Sequence, residues 1–140
     1  VSPQGDRFHQ KRAMALSRES DPIALICGRF EGFDERIRQY VDEEISLGDF
    51  ILMGGEIAAM AIVESVGRLV PGVIGNRDSL THESFSQGML EYTQYTKPVV
   101  FRGDAVPEVL TSGNHQEIEA WRRKNAADKT RQRRSDLLKE

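Results

Sequence analysis

Cysteine occurs once in the 140 residues, at Cys27, so no disulfide can form within the chain and no cysteine-rich zinc site can be built. That thiol closes a short apolar run and reads as a buried structural residue rather than a nucleophile. Histidine is sparse: His9, His82 and His115 lie in separate polar segments, and no metal site follows from them. No apolar run reaches membrane-spanning length and nothing reads as a signal peptide. The expectation is a cytoplasmic chain with no membrane partner. The familiar ligand signatures are missing too: no GxGxxG behind a strand, no GK[ST] phosphate loop and no HExxH. There is no internal repeat or low-complexity segment. A large charge imbalance is also lacking. The formal net charge is -3, so the whole molecule advertises no polyanion partner.

What is present is an ordinary globular composition, 39% hydrophobic and 29% charged, long enough for one core with a small appendage. Charge is unevenly spread. From His115 to Glu140 there are 8 Lys and Arg against 5 Asp and Glu, whereas the rest has 11 against 17. A basic tail on an acidic body permits nucleic-acid binding; taken alone, it reads first as a solvated helix face.

The pattern alternates strand-like and helix-like segments. Ser2 to Gly5 reads as a loop and Phe8 to Arg18 as a helix. Pro22 to Cys27 (PIALIC) and Phe50 to Met53 (FILM) are continuous apolar runs, as expected of strands buried on both faces of a parallel sheet. Asp34 to Asp42 reads as a short helix between them. Glu56 to Val70 is apolar nearly all round, which predicts a helix buried in the domain or in a subunit interface, ended by Pro71-Gly72. Asn76 to Ser86 is polar and aperiodic, a linker. Beyond it, Asn114 followed by Glu117 marks a capped helix start, with Ile118 and Trp121 on the apolar side and Arg122, Arg123 and Lys124 facing outward.

Two of these apolar runs meet glycine-studded turns carrying acids: GRFEG after Cys27, and SLGD and GGE around FILM. Gly28, Gly32, Gly48, Gly54 and Gly55 would bring backbone N–H and C=O groups against a ligand such as an adenosine-bearing cofactor at the ends of adjacent strands. Tight turns between sheet and helices explain the same glycines equally well.

Six longer motifs occur in order: GRFEGFDER (Gly28 to Arg36), ISLGDFILMGGE (Ile45 to Glu56), RLVPGVIGN (Arg68 to Asn76), ESFSQGMLEYTQYTKP (Glu83 to Pro98), FRG (Phe101 to Gly103) and VPEVLTSGNHQEIEAWR (Val106 to Arg122). With these the chain resembles, over essentially its whole length, the bacterial tRNA (guanine-37-N1)-methyltransferases of the TrmD family, in the SPOUT class. The resemblance implies an α/β fold with a trefoil knot, missing its first strands, and a small, mainly helical C-terminal domain. It implies a homodimer that moves a methyl group from S-adenosyl-L-methionine to N1 of guanine-37 in tRNA. Residues 1–75 would form the knotted domain, 76–86 a linker that folds over the site when tRNA arrives, and 87–140 the tRNA-gripping domain. A knotted methyltransferase acting on another RNA, or a remnant that only dimerises or binds tRNA, are the alternatives.

Carried over by position, the cofactor loops are Ser2, Pro3, Gln4 and Gly5; Gly28, Phe30, Glu31 and Gly32; and Ser46, Leu47, Gly48, Asp49, Phe50, Ile51, Leu52, Gly54 and Gly55. Phe30 and Phe50 stand where the family usually has Tyr, which keeps stacking and removes a hydroxyl; Ala59 replaces a frequent Pro. Glu83 occupies the general-base position, normally Asp, and Arg68 the position that steadies guanine O6. Lys97, Arg102, Arg122, Arg123, Lys124, Arg131, Arg133 and Arg134 could neutralise phosphates. The family is also associated with magnesium; Asp42, Glu43 and Glu44 read as a solvated acidic turn or as its site. The chain opens at Val1, directly into a turn, and reads as one whose beginning is missing. The expectation is open sheet edges, uncovered apolar surface, and a chain that by itself is poorly stable or inactive.

Overall fold

The computed structural model describes residues 1–75 and 78–138, and divides into two compact units, Val1–Arg77 and Asp78–Glu140. The first is a small α/β unit. Strand β1 (Asp6–Arg7) pairs in parallel with β2 (Ile45–Ser46), Asp6 opposite Ile45 and Arg7 opposite Ser46. The pairing continues past the ladder: the Ser2 N–H donates to Ile45 O at 2.9 Å and the Phe8 N–H to Ser46 O at 2.7 Å. Helix α1 (Gln10–Leu16) starts at His9, whose ring Nδ1 accepts from the Arg12 N–H at 3.2 Å. It packs on α2 (Glu56–Gly67). Ala13 and Leu16 of α1 and Ala58 and Ile62 of α2 recur at helical spacing, so each helix buries one stripe. Leu16, Ile45 and Ile62 form the core, flanked by Phe8, Leu25, Leu47 and Val66.

Two sequence expectations need correction in this unit. Residues 22–27 lie in no ladder, and Ile23 and Ile26 are exposed. Phe50 to Met53 is not a strand either; its four side chains are 39–101% exposed. The strand is Ile45–Ser46, just upstream, and the chain turns at Gly48 (φ 156°) before FILM begins. The reason is pairing: a strand buried on both faces needs neighbours on its edges and layers above and below. Among the described residues these runs have few of either. Helix α2 buries one stripe within this unit, Ala58 and Ile62, and leaves Ile57, Met60 and Val63 more than 60% exposed, the face that the expectation of a subunit interface concerns. The short helix expected at Asp34 to Asp42 is a 3₁₀ helix, Glu35–Tyr40, capped by the Asp34 carboxylate.

The second unit is built on α5 (His115–Arg133). Asn114 caps it as the sequence suggested, its side-chain oxygen accepting from the Gln116 and Glu117 N–H groups at 3.2 and 3.4 Å. Residues 90–93 lie along α5 through side-chain bonds instead of a ladder. The Leu90 N–H donates to Thr130 Oγ1 at 2.9 Å and the Thr93 N–H to Asn125 Oδ1 at 2.7 Å. Thr130 is fully buried. Helix α3 (Asp78–Thr81) falls within the expected linker; Asn76 and Arg77, also assigned to it, lie outside the described residues. Strands β3 (Val100–Phe101) and β4 (Asp104–Ala105) form an antiparallel hairpin. Its turn places Arg102 at φ 52° and Gly103 at φ 92°, the two left-handed residues that a two-residue hairpin turn demands. Helix α4 (Glu108–Thr111) packs against α5. Arg122 departs from its expected outward orientation. It is half-buried, its guanidinium 4.8 Å from the centre of the Tyr92 ring.

Candidate functional site

The first unit carries all three glycine turns named from the sequence. Ser2–Gly5 closes on itself, with the Gly5 N–H donating to Ser2 O at 3.3 Å and the Gln4 N–H to Ser2 Oγ at 3.1 Å. It is pinned to β2: a Cβ on Gly5 would lie 2.3 Å from the Glu44 carbonyl oxygen, so no other residue fits without moving backbone. The Gln4 side chain accepts from Arg38 Nη2 at 2.5 Å, and Pro3 is exposed.

The second turn runs through Phe30, Glu31 and Gly32 at φ 56°, 69° and 97°, a left-handed path unusual for the first two. Phe30 is 91% exposed. In the third turn the buried Ser46 hydroxyl accepts from the Gly48 N–H at 3.1 Å and donates to Gly48 O at 3.2 Å, while Leu47 packs on the core. Asp49 is ion-paired with Arg7 at 2.7 Å, and Phe50, Ile51 and Leu52 are exposed. The structure brings the second and third turns together. The Gly55 N–H donates to Gly28 O at 3.1 Å, Arg29 bridges Gly54, and a Cβ on Gly55 would lie 3.0 Å from Cys27 Cα. Sequence reasoning missed Arg29, Glu56 and Arg7, whose charges fasten these turns. Their signal, opposite charges far apart in sequence, is legible only after folding.

Arg68 caps the C-terminus of α2, its N–H donating to Glu64 O at 3.2 Å. Glu83 belongs to the second unit. Its carbonyl accepts from the Ser86 hydroxyl at 2.7 Å, and it lines a groove of about 410 Å³ between residues 81–92 and the face of α5 bearing Glu119, Arg122 and Arg123. Within that groove Arg122 Nη1 donates to Glu119 at 2.9 Å, and its buried Nε has no hydrogen-bond partner among the described residues. A second cavity, about 350 Å³, lies beside β1, His9, Arg12 and Glu43.

Of the expected phosphate-binding cations, Arg131 and Arg134 are paired with Asp128 and Asp136 at 2.7 Å each, which reduces the positive charge they offer. Arg102 lies over the Phe101 ring at 5.3 Å. Lys97, Arg123, Lys124 and Arg133 are exposed. In the acidic turn, Glu43 is held in a bidentate pair by Arg12, which raises the guanidinium further above its usual range, and Glu44 faces Arg38 at 3.2 Å. Among the described residues no three His, Cys, Asp or Glu side chains form a metal-ligand cluster, and no helix is long and apolar enough to cross a membrane.

These observations define a class: a mixed α/β unit that fastens backbone turns together, followed by a mainly helical unit with a basic helix. The chain belongs to the family described as tRNA (Guanine-1)-methyltransferase TrmD, whose model matches residues 1–140. Proteins named tRNA (guanine-N(1)-)-methyltransferase are similar to it in Syntrophotalea carbinolica, at 56% identity over 138 residues, and in Geobacillus kaustophilus, at 57% over 141. These alignments cover 99% and 100% of this chain but 56% and 57% of those proteins. One from Dictyoglomus turgidum is 56% identical over 138 residues, covering 99% of this chain and 56% of its own. The chain spans a little over half the length of the curated relatives it matches.

Proposed function

We propose that this chain serves S-adenosyl-L-methionine-dependent methylation of N1 of guanine-37 in tRNA, in the cytoplasm, as part of a trefoil-knotted SPOUT homodimer. The observation that carries this reading is the family match over residues 1–140, a span that includes all three glycine turns. In this reading residues 1–75 are the cofactor domain, 76–86 the linker and 87–140 the tRNA-gripping domain. The turns suit an adenosyl group: Phe30 and Phe50 offer exposed aromatic faces to a planar base, and the backbone of the Gly28–Gly32 and Gly48–Gly55 turns offers donors and acceptors to its edge. The exposed stripe of Ile57, Met60 and Val63 suits burial by a second subunit.

The cofactor supplies an electrophilic methyl group on its sulfonium sulfur. Guanine N1 carries a proton and is a poor nucleophile until that proton leaves. The Glu83 carboxylate takes the proton, and the Arg68 guanidinium stabilises the negative charge that builds on O6. Glu83 is one methylene longer than the family's usual Asp, so the same chemistry asks its backbone to stand slightly farther from the base. Of the acidic turn offered for magnesium, Glu43 and Glu44 face Arg12 and Arg38, which compete with a cation for their carboxylates.

Calorimetry with S-adenosyl-L-methionine and transfer assays with tRNAs bearing or lacking guanine at position 37 test the reading. Cofactor binding is the expected result, and any methyl transfer should depend on guanine-37. Transfer independent of that base points to another RNA, and a folded dimer without any binding heat leaves a non-catalytic remnant.

A further inference from the structure

The left-handed turn at Phe30, Glu31 and Gly32 poses a mechanical question. Two of its three residues are not glycine, and backbone of this kind persists only where the surroundings over-determine it. The tip supplies no such restraint, since Phe30 is almost fully exposed and Gly32 has open space around it. Restraint is found at the stem, where the Phe33 ring also lies against Gly28. There Arg29 Nε donates to Glu56 Oε1 at 2.6 Å, the Arg29 backbone bridges Gly54, and the Gly55 N–H donates to Gly28 O. Glu56 is the first residue of α2, where the helix dipole favours a carboxylate, so the stem is tied to a long regular element. Both side chains come from outside the set that the family resemblance assigns to the cofactor.

We propose that Arg29 and Glu56 form a clasp that positions the second and third turns against each other before the cofactor arrives. They are positioning residues, acting through the turns they hold. The inference rests on the reading that these turns carry S-adenosyl-L-methionine, while the clasp itself stands on contacts that need no ligand. Turns ordered in advance lose less freedom on binding, so an intact clasp raises affinity without touching the cofactor. Its strength is modest and salt-sensitive, because the two side chains are 64% and 47% exposed.

Amide hydrogen exchange and cofactor calorimetry on the 140-residue chain test this with Arg29→Ala, Glu56→Ala and Glu56→Gln. In both alanine variants the Gly55 N–H should exchange about threefold faster, with mid-α2 amides such as Ile62 unchanged, and the cofactor Kd should rise by a similar factor. Glu56→Gln keeps an acceptor oxygen and should fall between, and high salt should narrow all the differences. An unchanged Gly55 rate in both alanine variants overturns the clasp, as does faster exchange throughout α2. Faster Gly55 exchange with unaltered affinity overturns the positioning role. Failure of the unsubstituted chain to bind cofactor, with Gly55 still responding, overturns the cofactor reading and the positioning role with it, but leaves the contact between the turns standing.

Discussion

Gly5 and Glu83 show how differently single residues carry weight. Gly5 sits against backbone: an added Cβ would lie 2.3 Å from the Glu44 carbonyl oxygen, inside the pairing of β1 with β2. Backbone cannot rotate aside as a side chain can. Gly5→Ala should therefore cost about 1–3 kcal/mol or more, read as a lower urea midpoint. Glu83 is a test of chemistry instead. Glu83→Ala should lower methyl transfer about 10²–10⁴-fold while leaving cofactor affinity nearly intact. Equal loss of both, by single-turnover kinetics and calorimetry, would remove Glu83 from the base role. Phe30 and Phe50 bring aromatic faces without a hydroxyl, so neither side chain can hydrogen-bond a ligand.

At the scale of elements, charge fastens what hydrophobic burial leaves loose. The Arg29 hydrogen bond holds the Glu56 carboxyl below its usual range, and the Arg36 hydrogen bond does the same for Asp34 at the cap of the 3₁₀ helix. A depressed carboxylate pKa contributes stability that is fully present above the ordinary value and lost as pH falls through the folded one. The contribution of both carboxylates should thus persist at neutral pH and fade below about pH 4, to a smaller extent in high salt. Circular dichroism against pH at two ionic strengths reads this out. Helix α2 makes the complementary point. Its inner stripe, Ala58 and Ile62, is buried within the unit, while Ile57, Met60 and Val63 stay exposed on another. Met60→Glu should leave the monomer fold intact and weaken self-association in sedimentation equilibrium; an unchanged assembly would place the subunit interface elsewhere.

For the whole molecule, net charge misleads and distribution informs. The formal charge is -3, yet exposed Arg123, Lys124 and Arg133 share one helix with the paired Arg131. If these cations meet phosphates, tRNA affinity should fall steeply with salt. Replacing Arg123, Lys124 and Arg133 together should flatten the log–log slope by about 2–3. An unchanged slope would move the RNA contact off α5.

Local signals were legible where they depend on neighbours in sequence. Asn114 followed by Glu117 marked the start of α5, the proline–glycine pair followed the end of α2, and the glycine runs marked the turns. The apolar runs PIALIC and FILM misled because a strand is a relation between segments: composition announces a wish for burial but not the partner that grants it. The same holds at the candidate site. The sequence alone placed the family and the glycine turns, since six ordered motifs and backbone torsion preferences are properties of a string. Only the tertiary structure decided that Gly28 meets Gly55, that Arg29 reaches Glu56 and that Arg122 lies on Tyr92, because contacts between residues tens of positions apart arise when packing brings them within bonding distance.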